Sequence, residues 1–305
     1  MAATDSYAGG DGRLSPLSTP SATRAVLEAH GIGTKYTLGQ NFLVNDDVLK
    51  KIIALAEVGE NDRVLEVGPG IGTLTIALLK HAASVIAIER DPDLPAVLAD
   101  TLHPWREKFA LIEKDALDVT RDDIVAAMVE IGGDTGYPDR ASSAANETAQ
   151  WAVSQSEDCL SESGHPASPP QEDLQLSLPS KLVANLPYAV AATVVLDYFE
   201  NFPFLDSATI MVQKEVADRM VAAVGTKNYG AYTVKLGLYA EPAGRFAVGP
   251  GNFFPPPRVD SAVIRLNRRV PLMADGAPAS PEVIAAAALM ADAAFTNRRK
   301  TIANS

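Results

Sequence analysis

The sequence predicts a doubly wound α/β sheet with helices on both faces, and three observations carry that expectation. Short apolar runs bounded by turn residues alternate with longer segments of helical periodicity, the rhythm of successive β-α units. In one unit, DRVLEVGPGIGT from Asp62 to Thr73, a strand-like run (Val64, Leu65, Val67) meets a helical pattern through Gly68, Gly70 and Gly72. Such a run suits a parallel strand buried on both faces, and glycines after it let a ligand approach the backbone at the helix start. The next apolar run, SVIAIE, ends in an acid, Glu89.

The elements follow in order. Residues 1–23 are rich in Gly, Ser, Pro and Ala and are expected to form a disordered tail. The main domain is expected over 24–270. Its first helix, LEAHGI, stops at Gly31, and TLGQNFLVN is read as a loop. Asn45 then caps a helix that opens on Asp46 and Asp47 and whose apolar face holds Val48, Ile52, Ile53 and Leu55. Beyond Glu89 lie a helix with Leu94, Val97 and Leu98 and a third strand, ending near Glu113, with Asp115 just past it. Asp115 thus falls on the rim where open α/β sheets bind ligands. Ile124 to Ile131 is helical. From 132 to 179 periodicity is lost, and the segment reads as a disordered acidic insertion that buries too little apolar surface to offset its ordering entropy. KLVAN restores a strand and NLPY turns at its end; TVVLDYF is a helix, ATIMVQ a strand and KEVADRMVA a helix. YGAYTVKLGLYA and RFAVGP mix helix and strand, 250–257 is a rigid Pro-rich loop, and RVDSAVIRLNR alternates like a strand with unequal faces. A helix from Pro281 to Phe295 lies in a final region, 271–305.

Composition narrows the function classes. No apolar run of the 305 residues approaches a bilayer span of about 20, and the N-terminus lacks the apolar core of a signal peptide, so a cytoplasmic protein away from membranes is expected. A single cysteine, Cys159, allows no internal disulfide, and four scattered histidines form no visible metal-ligand cluster, so no metal is expected. A net charge of −12 looks wrong for a nucleic-acid binder until it is located. Between Gly132 and Ser180, eight acids face Arg140 alone, which supplies −7 of the total. Meanwhile Arg258, Arg265, Arg268, Arg269, Arg298, Arg299 and Lys300 gather towards the C-terminal end, where a locally basic face is possible.

Two motifs carry the chemistry. The dinucleotide fingerprint G-x-G-x-x-G places its third glycine one residue later than it stands here, which disfavours a nicotinamide-dependent oxidoreductase. The spacing instead resembles motif I of the class I S-adenosylmethionine methyltransferases, E-x-G-x-G-x-G, with Glu66 as its acid, and Glu89 at the next strand end can accept both hydroxyls of a ribose. Asn185-Leu186-Pro187-Tyr188 resembles motif IV of enzymes that methylate exocyclic amines. The lone pair of adenine N6 is delocalised into the ring, so the amine is a poor nucleophile. Two acceptors on its N–H bonds, the Asn185 side-chain oxygen and the Leu186 carbonyl, favour a pyramidal nitrogen aimed at the methyl donor, while Tyr188 offers a stacking face.

With LGQNFLVN, EVGPGIGTLT, VIAIERD, ANLPY, MVQKEVADRMVA, FFPPPRVDSAVIRL and AFTNRRKTI in order, the chain resembles the bacterial small-subunit rRNA adenine dimethyltransferase family. That resemblance implies a Rossmann-like class I methyltransferase sheet followed by the start of a small helical rRNA-binding domain over 271–305, truncated relative to family members. It implies S-adenosylmethionine as cofactor and dimethylation of two adjacent adenines in the 3′-terminal hairpin of 16S rRNA, in the immature 30S subunit, by a monomer. It also implies a cofactor site of Asn41, Leu43, Gly68, Gly70, Glu89, Asp115 and Asn185, with Glu89 on the ribose and Asp115 on the adenine amine. Asn185, Leu186, Pro187 and Tyr188 become catalytic residues; Phe253 stacks on the target base opposite Tyr188, and Arg258, Arg298, Arg299 and Lys300 contact rRNA. Alternatives are a 23S rRNA adenine methyltransferase of the macrolide-resistance type and a non-catalytic ribosome-assembly factor with the same fold.

Overall fold

The computed structural model describes residues 12–32, 41–132 and 178–296. Seven strands form one sheet: β2 (Arg63–Val67), β3 (Ser84–Glu89), β4 (Phe109–Glu113), β5 (Lys181–Asn185), β6 (Ser207–Gln213), β7 (Ala240–Val248) and β9 (Ser261–Arg268). Their order across the sheet is β4-β3-β2-β5-β6-β9-β7, with β9 antiparallel to both neighbours and the other pairings parallel. A second sheet is only two residues wide, where β1 (Phe42–Leu43) pairs antiparallel with β8 (Phe253–Phe254). The strand order reverses between β2 and β5, so the crevice of this α/β sheet lies at their carboxyl ends.

Alternate residues of the inner strands feed two apolar layers. Leu65, Val67, Ile86 and Ile88 face the helices α5 (Arg121–Gly132), α6 (Ala191–Asn201), α7 (Lys214–Met220) and α8 (Ala231–Tyr239). Val64, Val85, Val183 and Val263 face α1 (Pro20–Ala29), α2 (Asp46–Ala56), α3 (Thr73–Leu79) and α4 (Leu94–Thr101). This two-sided burial is why β2 and β3 read as continuous apolar runs. The Asn45 cap forms as its sequence requires: the side-chain oxygen accepts from the Asp47 and Val48 N–H groups at 2.9 and 3.3 Å. The helix α9 (Pro281–Phe295) is capped by Ser280 and lies on α8, with Tyr229 edge-on to Phe295 and Lys235 paired with Asp292 at 3.0 Å.

Several expectations change. Residues 12–23 are not a loose tail: Leu17 is buried, and Asp46 Oδ1 accepts from the Leu14 and Ser15 N–H groups at 2.8 and 3.3 Å. The first helix accordingly starts at Pro20, with Thr19 as its cap. TLGQNFLVN contains a strand, β1, and the Pro-rich loop contains its partner β8. The basic cluster does not form one face. The antiparallel course of β9 carries Arg265 and Arg268 to the amino edge of the sheet, where Arg265 pairs with Glu57 at 2.7 Å and Arg268 donates to the carbonyls of Phe199 and Phe202. Arg298, Arg299, Lys300 and nearly all of the acidic insertion lie outside the described residues.

Candidate active site

The carboxyl ends of β2 to β6 open into a cavity of about 510 Å³. Three turns make its walls. The first leaves β2 through Gly68, Gly70 and Gly72, all with left-handed φ (70°, 59° and 89°), a region where a side chain is strained. Space adds to this at Gly70, because a Cβ there would sit 3.1 Å from the Phe42 ring. The second turn ends β3, where Glu89 is buried and its Oε1 accepts from the N–H groups of Arg90 and Asp91 at 2.9 and 2.8 Å. The third, Asn185 to Tyr188, ends β5. A Cβ on Gly68 would lie 3.6 Å from Pro187 Cδ, so two motifs more than a hundred residues apart face each other across one crevice.

The polar groups in this cavity are poised differently. Glu66 is 1% exposed, and its Oε2 has no partner among the described residues. Burial, reinforced by the nearby charge of Glu89, pushes its carboxyl up to about 8, so it holds a proton at neutral pH. Glu89 is raised by burial too, although the two backbone N–H groups oppose the shift. Asp115, at the mouth, goes the other way: the Leu117 N–H and then the Arg90 guanidinium, 2.8 Å away, hold its carboxyl below the usual range. Asn185 donates from Nδ2 to the Asn41 carbonyl at 3.1 Å, an amide assignment set by this contact, which leaves Oδ1 free to accept. No described donor reaches the Leu186 carbonyl, whereas the Leu186 N–H is spent on Met211. Burial raises the Tyr188 phenol, whose oxygen lies 2.6 Å from Ser261 Oγ.

Asn41, Leu43, Gly68, Gly70, Glu89, Asp115 and Asn185 therefore line one cavity together with Leu186, Pro187 and Tyr188. Phe253 does not join them. It is 4% exposed, pairs with Leu43 in the two-residue sheet and belongs to the core, so contrary to expectation it offers no stacking face opposite Tyr188. Arg258 is exposed in a shallower cleft that shares Gln213 with the cavity. Sequence reasoning passed over Phe42, whose ring closes on Gly70, and the Asn41 carbonyl, whose role is backbone chemistry with no residue-type signal. Glu66 does carry a sequence signal, an acid inside a buried strand run.

A family model described as ribosomal RNA adenine dimethylase matches residues 33–305, nearly nine-tenths of the chain. The chain belongs to the ribosomal RNA adenine dimethylase family. Its fold is therefore a class I methyltransferase fold, and the nicotinamide reading falls away. Within the family, the chain is 33% identical over 293 residues to the "Ribosomal RNA small subunit methyltransferase A" of Paenarthrobacter aurescens, covering 95% of this chain and 80% of that one. Two solved structures share the fold at TM-score 0.55 and 23% identity. One is a dimethyladenosine transferase from Plasmodium falciparum (85% of this chain, 72% of that one), the other the 23S rRNA methyltransferase ErmE (86% and 82%). Among the described residues no helix is long and apolar enough to cross a membrane.

Proposed function

We propose that this dimethylase converts two adjacent adenines in the 3′-terminal hairpin of 16S rRNA to N6,N6-dimethyladenosine within the immature 30S subunit, as a cytoplasmic monomer using S-adenosylmethionine. The observation that carries the reading is that the Gly68 turn and the Asn185–Tyr188 turn line one cavity, which gives a cofactor pocket and an amine-binding turn a shared space. The small-subunit name of the Paenarthrobacter aurescens relative supports 16S over 23S rRNA as target.

The donor set fits the cofactor. Glu66 brings a buried oxygen in need of a partner, which a bound amine or hydroxyl would satisfy, and Glu89 sits at the strand end suited to a ribose diol. Gly68 and Gly70 keep the backbone open to close approach, while Leu43 and Asn41 close one side and Asp115 the rim. When bound, S-adenosylmethionine supplies an electrophilic methyl group. The chain's task is then to present N6. Asn185 Oδ1 and the Leu186 carbonyl accept the two N–H bonds, free the lone pair from the ring and stabilise positive charge as it develops on nitrogen. Pro187 stiffens that turn, and Tyr188 stacks on the extruded base, a contact of about 1–3 kcal/mol per base. Arg258, Arg298, Arg299 and Lys300 neutralise rRNA phosphates.

Incubation with undermethylated 30S particles and methyl-labelled cofactor tests this. The expected product is label in 16S rRNA as N6,N6-dimethyladenosine by mass spectrometry; label confined to 23S rRNA overturns the assignment.

A further inference from the structure

We infer that Ser261 is a positioning residue for the methyl-transfer site, an internal anchor that holds the long axis of the Tyr188 ring in the place where it receives the target adenine. The inference rests on the proposed stacking role of Tyr188.

The Tyr188 phenol oxygen and Ser261 Oγ are 2.6 Å apart, across 73 residues of chain. Ser261 is fully buried, and its backbone is fixed from both sides, paired with Gln213 on β6 and with Val248 on β7. An anchor so placed cannot drift without breaking the register of three strands. Tyr188 differs: it follows the end of β5, in a turn, half-buried, with its ring lining the cavity. A tyrosine in a turn has a free χ1, and the serine contact pins the phenol oxygen and with it χ1 and the long axis of the ring. The place of the ring is thereby set before RNA arrives, and the entropy of ordering χ1 does not count against binding. The buried phenol also needs a partner, and no other described side chain supplies one. Because Arg258 lies three residues before Ser261, between the Pro-rich loop and β9, the same serine links the Tyr188 turn to the cleft that Arg258 lines.

The test uses the full chain and an RNA hairpin carrying 2-aminopurine at the target position. Its stacked, short-lived fluorescence fraction reads the base against Tyr188, beside methylation rates on unmodified RNA. Ser261→Ala and Tyr188→Phe are each expected to lower kcat/KM by about two- to tenfold, the worth of one neutral hydrogen bond, and to lower the stacked fraction. The double variant is expected to do no more than either single change, since both break the same contact. Cofactor affinity by calorimetry stays at the wild-type value. If the two effects multiply, or if Ser261→Ala lowers only the melting temperature, the anchor is refuted. Tyr188→Ala separates the premise from the inference. If it leaves the stacked fraction unchanged, the stacking role itself is wrong and the anchor falls with it; if it abolishes stacking while Ser261→Ala and Tyr188→Phe do not touch it, only the anchor is wrong.

Discussion

The two edges of the central sheet treat their polar groups in opposite ways. At the amino edge, charges are closed off against one another: Lys181 pairs with Asp62 at 2.7 Å, Arg265 with Glu57 at 2.7 Å, and the Arg268 guanidinium caps the end of α6 on the Phe199 and Phe202 carbonyls. At the carboxyl edge, Glu66 keeps a buried oxygen without a partner, the Leu186 carbonyl accepts nothing described, and three glycines hold left-handed turns. Buried unsatisfied groups cost stability and glycine turns admit close approach, so their meeting in one cavity marks where a ligand completes the structure. One edge is built for stability and the other for binding.

If that contrast is right, changes at the two edges separate stability from activity. The largest effect on folding is expected at Arg268→Ala, which strips hydrogen bonds from the α6 carbonyls and costs about 3 kcal/mol in denaturant unfolding. Turnover per folded molecule should stay unchanged; a fall in turnover would erase the distinction between edges. Glu66→Gln is expected to act in the opposite sense. The folded carboxyl, at about 8, lies above its ordinary value of 4.5, so its share of stability is complete below pH 4.5 and is lost as pH rises towards 8. The buried Glu89, also raised, pulls the same way. Glutamine removes the Glu66 part, and the stability difference between pH 5 and pH 8 should shrink by on the order of 2–4 kcal/mol. An unaltered pH profile in thermal melts would mean that Glu66 is not buried as an acid. The smallest loss of stability, about 1–2 kcal/mol, is expected at Gly70→Ala, where the left-handed turn and the Phe42 ring both resist a Cβ. Here calorimetry should show cofactor binding weakened at least about tenfold, as expected of a change on the binding edge.

Much of this was legible in the residues. The glycine turn, the Asn45 cap and the acids at strand ends are local signals, each tied to a backbone conformation that few residue types allow. What escaped is what only tertiary structure decides. Leu14 and Ser15 sit in a Gly/Ser/Pro-rich stretch, and only the Asp46 carboxylate, 32 and 31 residues away, reveals that they dock. Phe253 looks like a free aromatic before a proline run, yet a two-residue pairing with Phe42 and Leu43 draws it inward. Arg258 and Arg268 are neighbours in sequence, but the course of β9 sends them to opposite edges of the sheet. The Tyr188–Ser261 contact joins residues whose types alone announce nothing.

The central claim is that Asn185 presents the adenine amine from a turn that shares its cavity with the glycine loop. The most direct test is single-turnover methyl transfer by Asn185→Ala, measured beside its affinity for S-adenosylmethionine. A transfer rate at least about 100-fold lower is expected, the usual scale for losing one preorganised polar contact to a transition state, with cofactor affinity within about tenfold of wild type. Undiminished transfer by the alanine variant would contradict it.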